Sequence, residues 1–148
     1  MNKAQPTMRG DLHVAHTHEP AYQAYQLLHV AFVAAPVIAG LDKFAQLLVN
    51  WDQYLAPQAR SILGSATHTF MLVVGVVEII AGLIVALKPK IGAYIVAAWL
   101  ALIIVNLLLN GRYFDIALRD FGLFLGALAL GRLSATYDHQ LETRHSST

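Results

Sequence analysis

Residues 91 to 109 read IGAYIVAAWLALIIVNLLL, and this stretch decides the fold. A helix at the surface of a soluble domain shows a polar stripe every three or four residues, and here there is none. At about 1.5 Å per residue, some 19 residues span a hydrocarbon core of about 30 Å. Three further stretches have the same character: Tyr22 to Leu41, Phe70 to Leu87 and Tyr113 to Leu133. Only 13% of the 148 residues are charged and 57% are hydrophobic. A soluble domain carries about 25% charged residues, so the composition agrees with the stretches. The expectation is an all-α integral membrane protein, an antiparallel four-helix bundle at residues 22–133, with polar tails at 1–21 and 134–148.

The connections support that layout. LKPK (87–90) and NGR (110–112) are long enough only for tight reversals, and Pro89 blocks continuation of the preceding helix. The first stretch follows about 20 mostly polar residues and outlasts a signal-peptide core, so it is read as a membrane helix rather than a cleaved leader. The long connection from Asp42 to Thr69 contains Phe44, Leu47, Leu48, Trp51, Tyr54 and Leu55 at helical spacing. That stripe predicts an amphipathic helix between the first and second membrane helices, ending before Pro57. Its Trp51 and Tyr54 serve either as interfacial anchors at headgroup depth or as a hydrophobic lid on the bundle.

Charge excludes some functions and orients the rest. A net charge of +1 gives no basic surface for nucleic acid, and the absence of cysteine removes disulfide and thiol chemistry. Lys3, Arg9, Lys88, Lys90, Arg132 and Arg144 share one side of the expected topology, against Lys43, Arg60 and Arg112 on the other. The positive-inside rule then puts both termini in the cytoplasm, with a bacterial inner membrane as the setting.

Against this apolar background the polar residues are the candidates for function. GVVEIIAGLIVAL (75–87) holds Glu78 near the midplane, on one face with Gly75 and Gly82. A lone charge there costs about 3 kcal/mol or more unless it faces protein or water. ALRDFGLFLGALAL (117–130) holds Arg119 and Asp120, with Arg119, Gly122 and Gly126 on one face. Glycines beside each charge let helices approach, and predict a Glu78–Arg119 pair. Asp42 and Lys43 close the first helix, and Asn106 and Asn110 lie near the end of the third, so the polar cluster occupies the outer half of the membrane. It is read either as a device fixing helix register, as a site for quinone, a small acid or a proton pathway, or as a contact with another membrane subunit. The GLFLG pattern serves packing within the chain or dimerisation.

His29 has no second histidine at matching depth, so a hydrogen-bonded core histidine is favoured over a haem ligand. His13, His16, His18 and Glu19 crowd the N-terminal tail without anything to position them, and no metal site is assigned.

The AGLDKF end of the first stretch (39–44), the GVVEIIAGLIVAL helix and the ALRDFGLFLGALAL helix together resemble the DoxX-like membrane proteins, over residues 22 to 133. The matched positions are Gly40, Asp42, Lys43, Glu78, Arg119 and Asp120. The resemblance implies a four-helix membrane bundle. For function it implies association with quinone-coupled or membrane oxidoreductase complexes, or assistance in assembling other membrane proteins, without assigning a catalytic role to any residue. With no cysteine, flavin motif or haem pair, the chain brings no redox centre of its own, and an enzyme acting alone is not expected. The leading expectation is a small subunit of a redox or respiratory-type membrane complex. Its outer-half cluster meets a quinone headgroup or a periplasmic partner, and its neighbours are the lipid bilayer and other membrane subunits. The alternative is a purely structural or assembly subunit. A transporter built on Glu78 is weaker, since the chain shows no inverted repeat.

Overall fold

A computed structural model describes the backbone of residues 20–145 and the side-chain surroundings of residues 20–137. The histidine-bearing stretch His13 to Glu19 lies outside the described residues. Four long helices carry the fold: α1 (Pro20–Ala45), α3 (Thr67–Leu87), α4 (Pro89–Asn110) and α5 (Phe114–His145). A short helix α2 (Pro57–Leu63) and 3-10 turns at Trp51–Tyr54 and Gly64–Ala66 fill the connection between α1 and α3. Among the described residues there is no strand. Pro20–Ala45, Pro57–Leu87 and Pro89–Asn110 are long and apolar enough to cross a membrane, as an integral membrane protein requires. α5, with Arg119, Asp120 and Arg132, is not among them.

Local chemistry sets the boundaries. Pro57 and Pro89 stand at the first positions of α2 and α4, where a missing N–H is no loss. Gly111 closes α4 in the left-handed conformation (φ 73°), its N–H shared between the carbonyls of Leu107 and Leu108. α5 does not stop where apolar character fades at Leu133. The tail expected from residue 134 is helical to His145. Ser134 is fully buried and bonds the Leu130 carbonyl at 2.8 Å, and buried Tyr137 packs on Tyr22 and Tyr25 of α1 at 5.4 and 5.5 Å.

α1 packs chiefly on α3, and α5 on α4, with lesser contacts of α3 on α4 and α1 on α5. The core is built largely from small residues: Ala81 and Val85 on α3, Ala93, Val96 and Ala97 on α4, Ala127 on α5, filled by Tyr25 and Phe32 from α1. Many Leu, Ile and Val side chains point outward, among them Leu27, Val73, Leu83, Leu102 and Val105. An outward apolar surface on helices with a small-residue interior is the pattern expected of helices solvated by lipid. α1 and α3 approach closely at a pair of glycines. A Cβ on Gly40 would lie 2.6 Å from the Gly75 carbonyl oxygen, and one on Gly75 2.8 Å from that of Gly40. Only glycine allows the two backbones to meet there.

The stripe from Phe44 to Leu55 is not one helix. α1 ends at Ala45, Gln46 turns into the left-handed region (φ 51°), and the chain straightens before the turn at Trp51–Tyr54. Leu47 and Leu48 are 85% and 67% exposed while Leu55 is buried, so residues with helical spacing do not share a face. The reason lies in Asp42.

Candidate functional site: a buried ion pair beneath a clamped loop

Asp42 and Lys43 are neighbours in sequence, but about 100° apart around α1 they serve different purposes. The Asp42 carboxylate turns back over the helix end. Its Oδ1 accepts the backbone N–H groups of Leu47 and Leu48, both at 3.0 Å, and its Oδ2 accepts the Trp51 indole N–H at 2.7 Å. Three donors on one carboxylate hold the chain in a tight reversal, which is why helix propagation stops at Ala45. A carboxylate in the last turn opposes the helix dipole, and Lys43 beside it offsets that charge.

Lys43 points inward. Its Nζ lies 2.5 Å from Glu78 Oε2, with side chains 3% and 8% exposed. The ammonium also sits 3.7 Å from the centroid of the Trp51 ring, a cation–π contact. Trp51 therefore binds Asp42 through its edge and Lys43 through its face. On the other side of Glu78, Trp99 Nε1 stands 3.5 Å from Oε1, half-buried on α4. The geometry follows from the glycine crossing. Gly40 precedes Lys43 by three residues, as Gly75 precedes Glu78, and helical side chains lean toward the N-terminus of their own helix. Each charge thus leans back over the crossing and meets the other there.

The expected Glu78–Arg119 pair does not form. Arg119 is 69% exposed, and its Nε faces Asp120 Oδ1 of the same helix at 3.6 Å. α3 packs on α1 and α4, and α5 on α4 and α1, so α5 does not carry Arg119 to Glu78. The GLFLG glycines divide likewise. Gly126 packs against the Phe32 ring, whereas a Cβ on Gly122 would meet nothing within 4 Å. His29 is hydrogen-bonded but only half-buried: its Nε2 lies 3.0 Å from the Val85 carbonyl, and its ring stacks on Tyr25 at 5.7 Å.

A second set of contacts fixes the loop from the α4 side. The Asn106 amide reads the chain as a neighbouring strand would, Oδ1 accepting Ala56 N–H at 2.9 Å and Nδ2 donating to the Tyr54 carbonyl at 2.8 Å. One turn on, Asn110 Nδ2 donates to the carbonyls of Leu55 and Gln53 at 3.1 and 3.3 Å. Tyr54 packs edge-on against Tyr113 at 4.8 Å. Trp51 and Tyr54 are thus held by the ends of α1, α4 and α5.

Asp42, Lys43 and Glu78 form one network and Asn106 belongs to an adjoining clamp; Asp120 is buried on α5 within electrostatic range of Glu78, while its neighbour Arg119 is exposed. Sequence reasoning missed the Lys43–Glu78 pairing and the place of Trp99. The parallel spacings Gly40-x-x-Lys43 and Gly75-x-x-Glu78 were the signal that could have found the pair. No known protein family, curated protein or solved structure matches this chain.

Proposed function

We propose that this protein is a structural or assembly subunit of a larger membrane complex, an antiparallel four-helix bundle of DoxX-like type in which α5 also crosses the membrane. The observation that carries this reading is the closure of the polar cluster. Lys43 and Glu78 are buried on each other, and both carboxylate oxygens of Asp42 are taken by the loop. Charges arranged in this way fix helix register and loop position. The outward apolar faces of α1, α3 and α4 then remain as working surfaces, against lipid and against neighbouring helices. The Lys and Arg distribution supports an orientation with both termini cytoplasmic, which we place in a bacterial inner membrane.

A second reading, membership of a redox complex with quinone as ligand, draws on Trp99. Glu78 Oε1 has only the long 3.5 Å contact with the Trp99 indole, and Trp99 is half-buried. A reduced quinone (quinol) headgroup entering beside Trp99 would find an acceptor there for its hydroxyl. Purification from the native membrane in mild detergent tests both. Co-purification of other membrane proteins at fixed stoichiometry, with no bound quinone, is the expected result. Stoichiometric quinone that is lost in Glu78→Gln and Trp99→Phe variants would favour the second reading. A lone monodisperse chain without either would refute both. For orientation, a cysteine at Gln58 should react with an impermeant maleimide in intact cells and one at Thr7 should not; the reverse would invert the topology.

A further inference from the structure

A cleft of about 650 Å³ opens beside the clamped loop, between the Trp51–Tyr54 turn, α2 and the α4–α5 connection. Leu55 and Pro57 give its lining an apolar part, and Arg60, Arg112, Gln53 and Tyr113 a basic and polar part. We propose that this cleft is a binding site for a phosphate group, most naturally the headgroup phosphate of an anionic lipid.

The argument begins with charge. Two guanidinium groups line a single cleft, and among the described residues neither Arg60 nor Arg112 is in an ion pair. Asp52, next to Gln53 in sequence, does not line this cleft; its Oδ2 lies 3.2 Å from His68 Nδ1, and it shares an adjoining hollow with Arg60. Arg60 is not loose, because its Nη2 donates to the Asp52 carbonyl, which fixes the guanidinium and leaves its other N–H groups to a ligand. No carboxylate lines this cleft, so an anion entering it would meet two arginines and no acid. The guanidinium fork matches two oxygens of a phosphate better than a lysine ammonium does. Asn110, which also lines the cleft, spends its amide N–H on the loop and so builds the wall instead of binding the ligand.

Depth identifies the class of phosphate. α4 is an apolar helix of 22 residues that ends at Asn110, and Arg112 and Tyr113 follow directly after it. Arg60 lies on the exposed short helix that leads into α3. The Tyr54–Tyr113 pair at the rim is of the residue type that gathers at headgroup level. A cleft at that level lined by both basic and apolar residues suits a molecule whose phosphate is joined to a greasy body. The same two arginines would also accept a free phosphate monoester from the aqueous side, and that source is separated by experiment.

The experiment uses the full chain in a neutral detergent, read by native mass spectrometry. Phosphatidylglycerol should be retained at least tenfold better than phosphatidylcholine, and Arg112→Gln and Arg60→Gln should each reduce retention several-fold. Arg112 makes no other polar contact among the described residues, so Arg112→Gln should leave thermal unfolding unchanged. Arg112→Lys, which keeps the charge but not the fork, should retain only part of the binding. Lys88→Gln with Lys90→Gln, basic residues of the α3–α4 connection, should not alter it. Inorganic phosphate in the millimolar range that displaces the lipid in an Arg112-dependent way would assign the site to phosphate from either source. Displacement by lipid alone would assign it to the headgroup. Equal retention of the two lipids with no binding of inorganic phosphate overturns the proposal. So does a loss as large in the Lys88/Lys90 variant as in the arginine variants, since that is the behaviour of diffuse charge.

Discussion

Replacing Lys43 by Met tests whether the polar cluster is a water-excluded pair or two charges that happen to be near. The substitution keeps an unbranched side chain of similar length and removes only the ammonium. Glu78, 8% exposed, is then left with the 3.5 Å contact to Trp99 as its remaining polar partner. Breaking a buried pair from one side typically costs about 3–5 kcal/mol, and this burial argues for the upper part of that range. The opposite change, Glu78→Leu, should cost less. The stranded ammonium keeps the Trp51 face at 3.7 Å, a contact worth about 1–2 kcal/mol when desolvated. Lys43→Met with Glu78→Leu removes both charges and fills the same volume, and should fall within about 1 kcal/mol of the parent. The coupling between the two changes should therefore reach about 3 kcal/mol, more than a hundredfold in the folding equilibrium. Reversible unfolding in mixed micelles, followed by circular dichroism over the four-variant cycle, measures it. A parallel cycle of Glu78→Leu with Arg119→Met should be additive within about 0.5 kcal/mol, because Arg119 is largely exposed and bound to Asp120. Additive losses in the Lys43 cycle, or strong coupling in the Arg119 cycle, would refute the assignment.

Three further outcomes follow from the same geometry. Asp42→Ala removes the acceptor for Leu47, Leu48 and Trp51 and should cost about 1–3 kcal/mol. In a Trp99→Phe background it should shift Trp51 emission to the red and raise its quenching by iodide; an unchanged spectrum would show that the loop is held by other means. Asn106→Leu loses both bonds to residues 54 and 56, and hydrogen exchange at Ala56 N–H should accelerate at least tenfold while exchange in the core of α4 stays slow. Gly40→Ala and Gly75→Ala place a Cβ within 2.8 Å of backbone oxygen and should each destabilise by about 1–3 kcal/mol. Gly122→Ala meets open space and should be neutral or stabilising by up to about 1 kcal/mol through helix propensity, as thermal denaturation in detergent will show.

Much of the helical frame was legible because its cause is local. Long apolar runs, Pro89 and Gly111 set the limits of α3 and α4 within two or three residues, since chain solvation and backbone chemistry act over a few positions. Two boundaries were not legible. The end of α1 depends on the Asp42 side chain capturing backbone groups five and six residues on, and the same leucines could as well have continued a helix. The continuation of α5 past Leu133 depends on Tyr137 finding Tyr22 and Tyr25, more than a hundred residues away in the chain.

The candidate site divides in the same way. The sequence by itself determined that Glu78 needed a partner, because a carboxylate amid aliphatic residues in an apolar helix cannot stay charged and alone. It also marked the glycines as places of close approach. Which partner it takes was decided only by tertiary structure. Arg119 and Lys43 were both available, and helix periodicity places each on a face of its own helix without saying which faces meet. Choosing between them required knowing that α3 packs on α1 through Gly40 and Gly75, where two missing side chains bring the backbones into contact. At that crossing Lys43 and Glu78 lean back toward each other, while Arg119, on a helix that packs chiefly on α4, stays exposed beside Asp120. Helix pairing is a property of the whole packed surface, and no single stretch of sequence contains it.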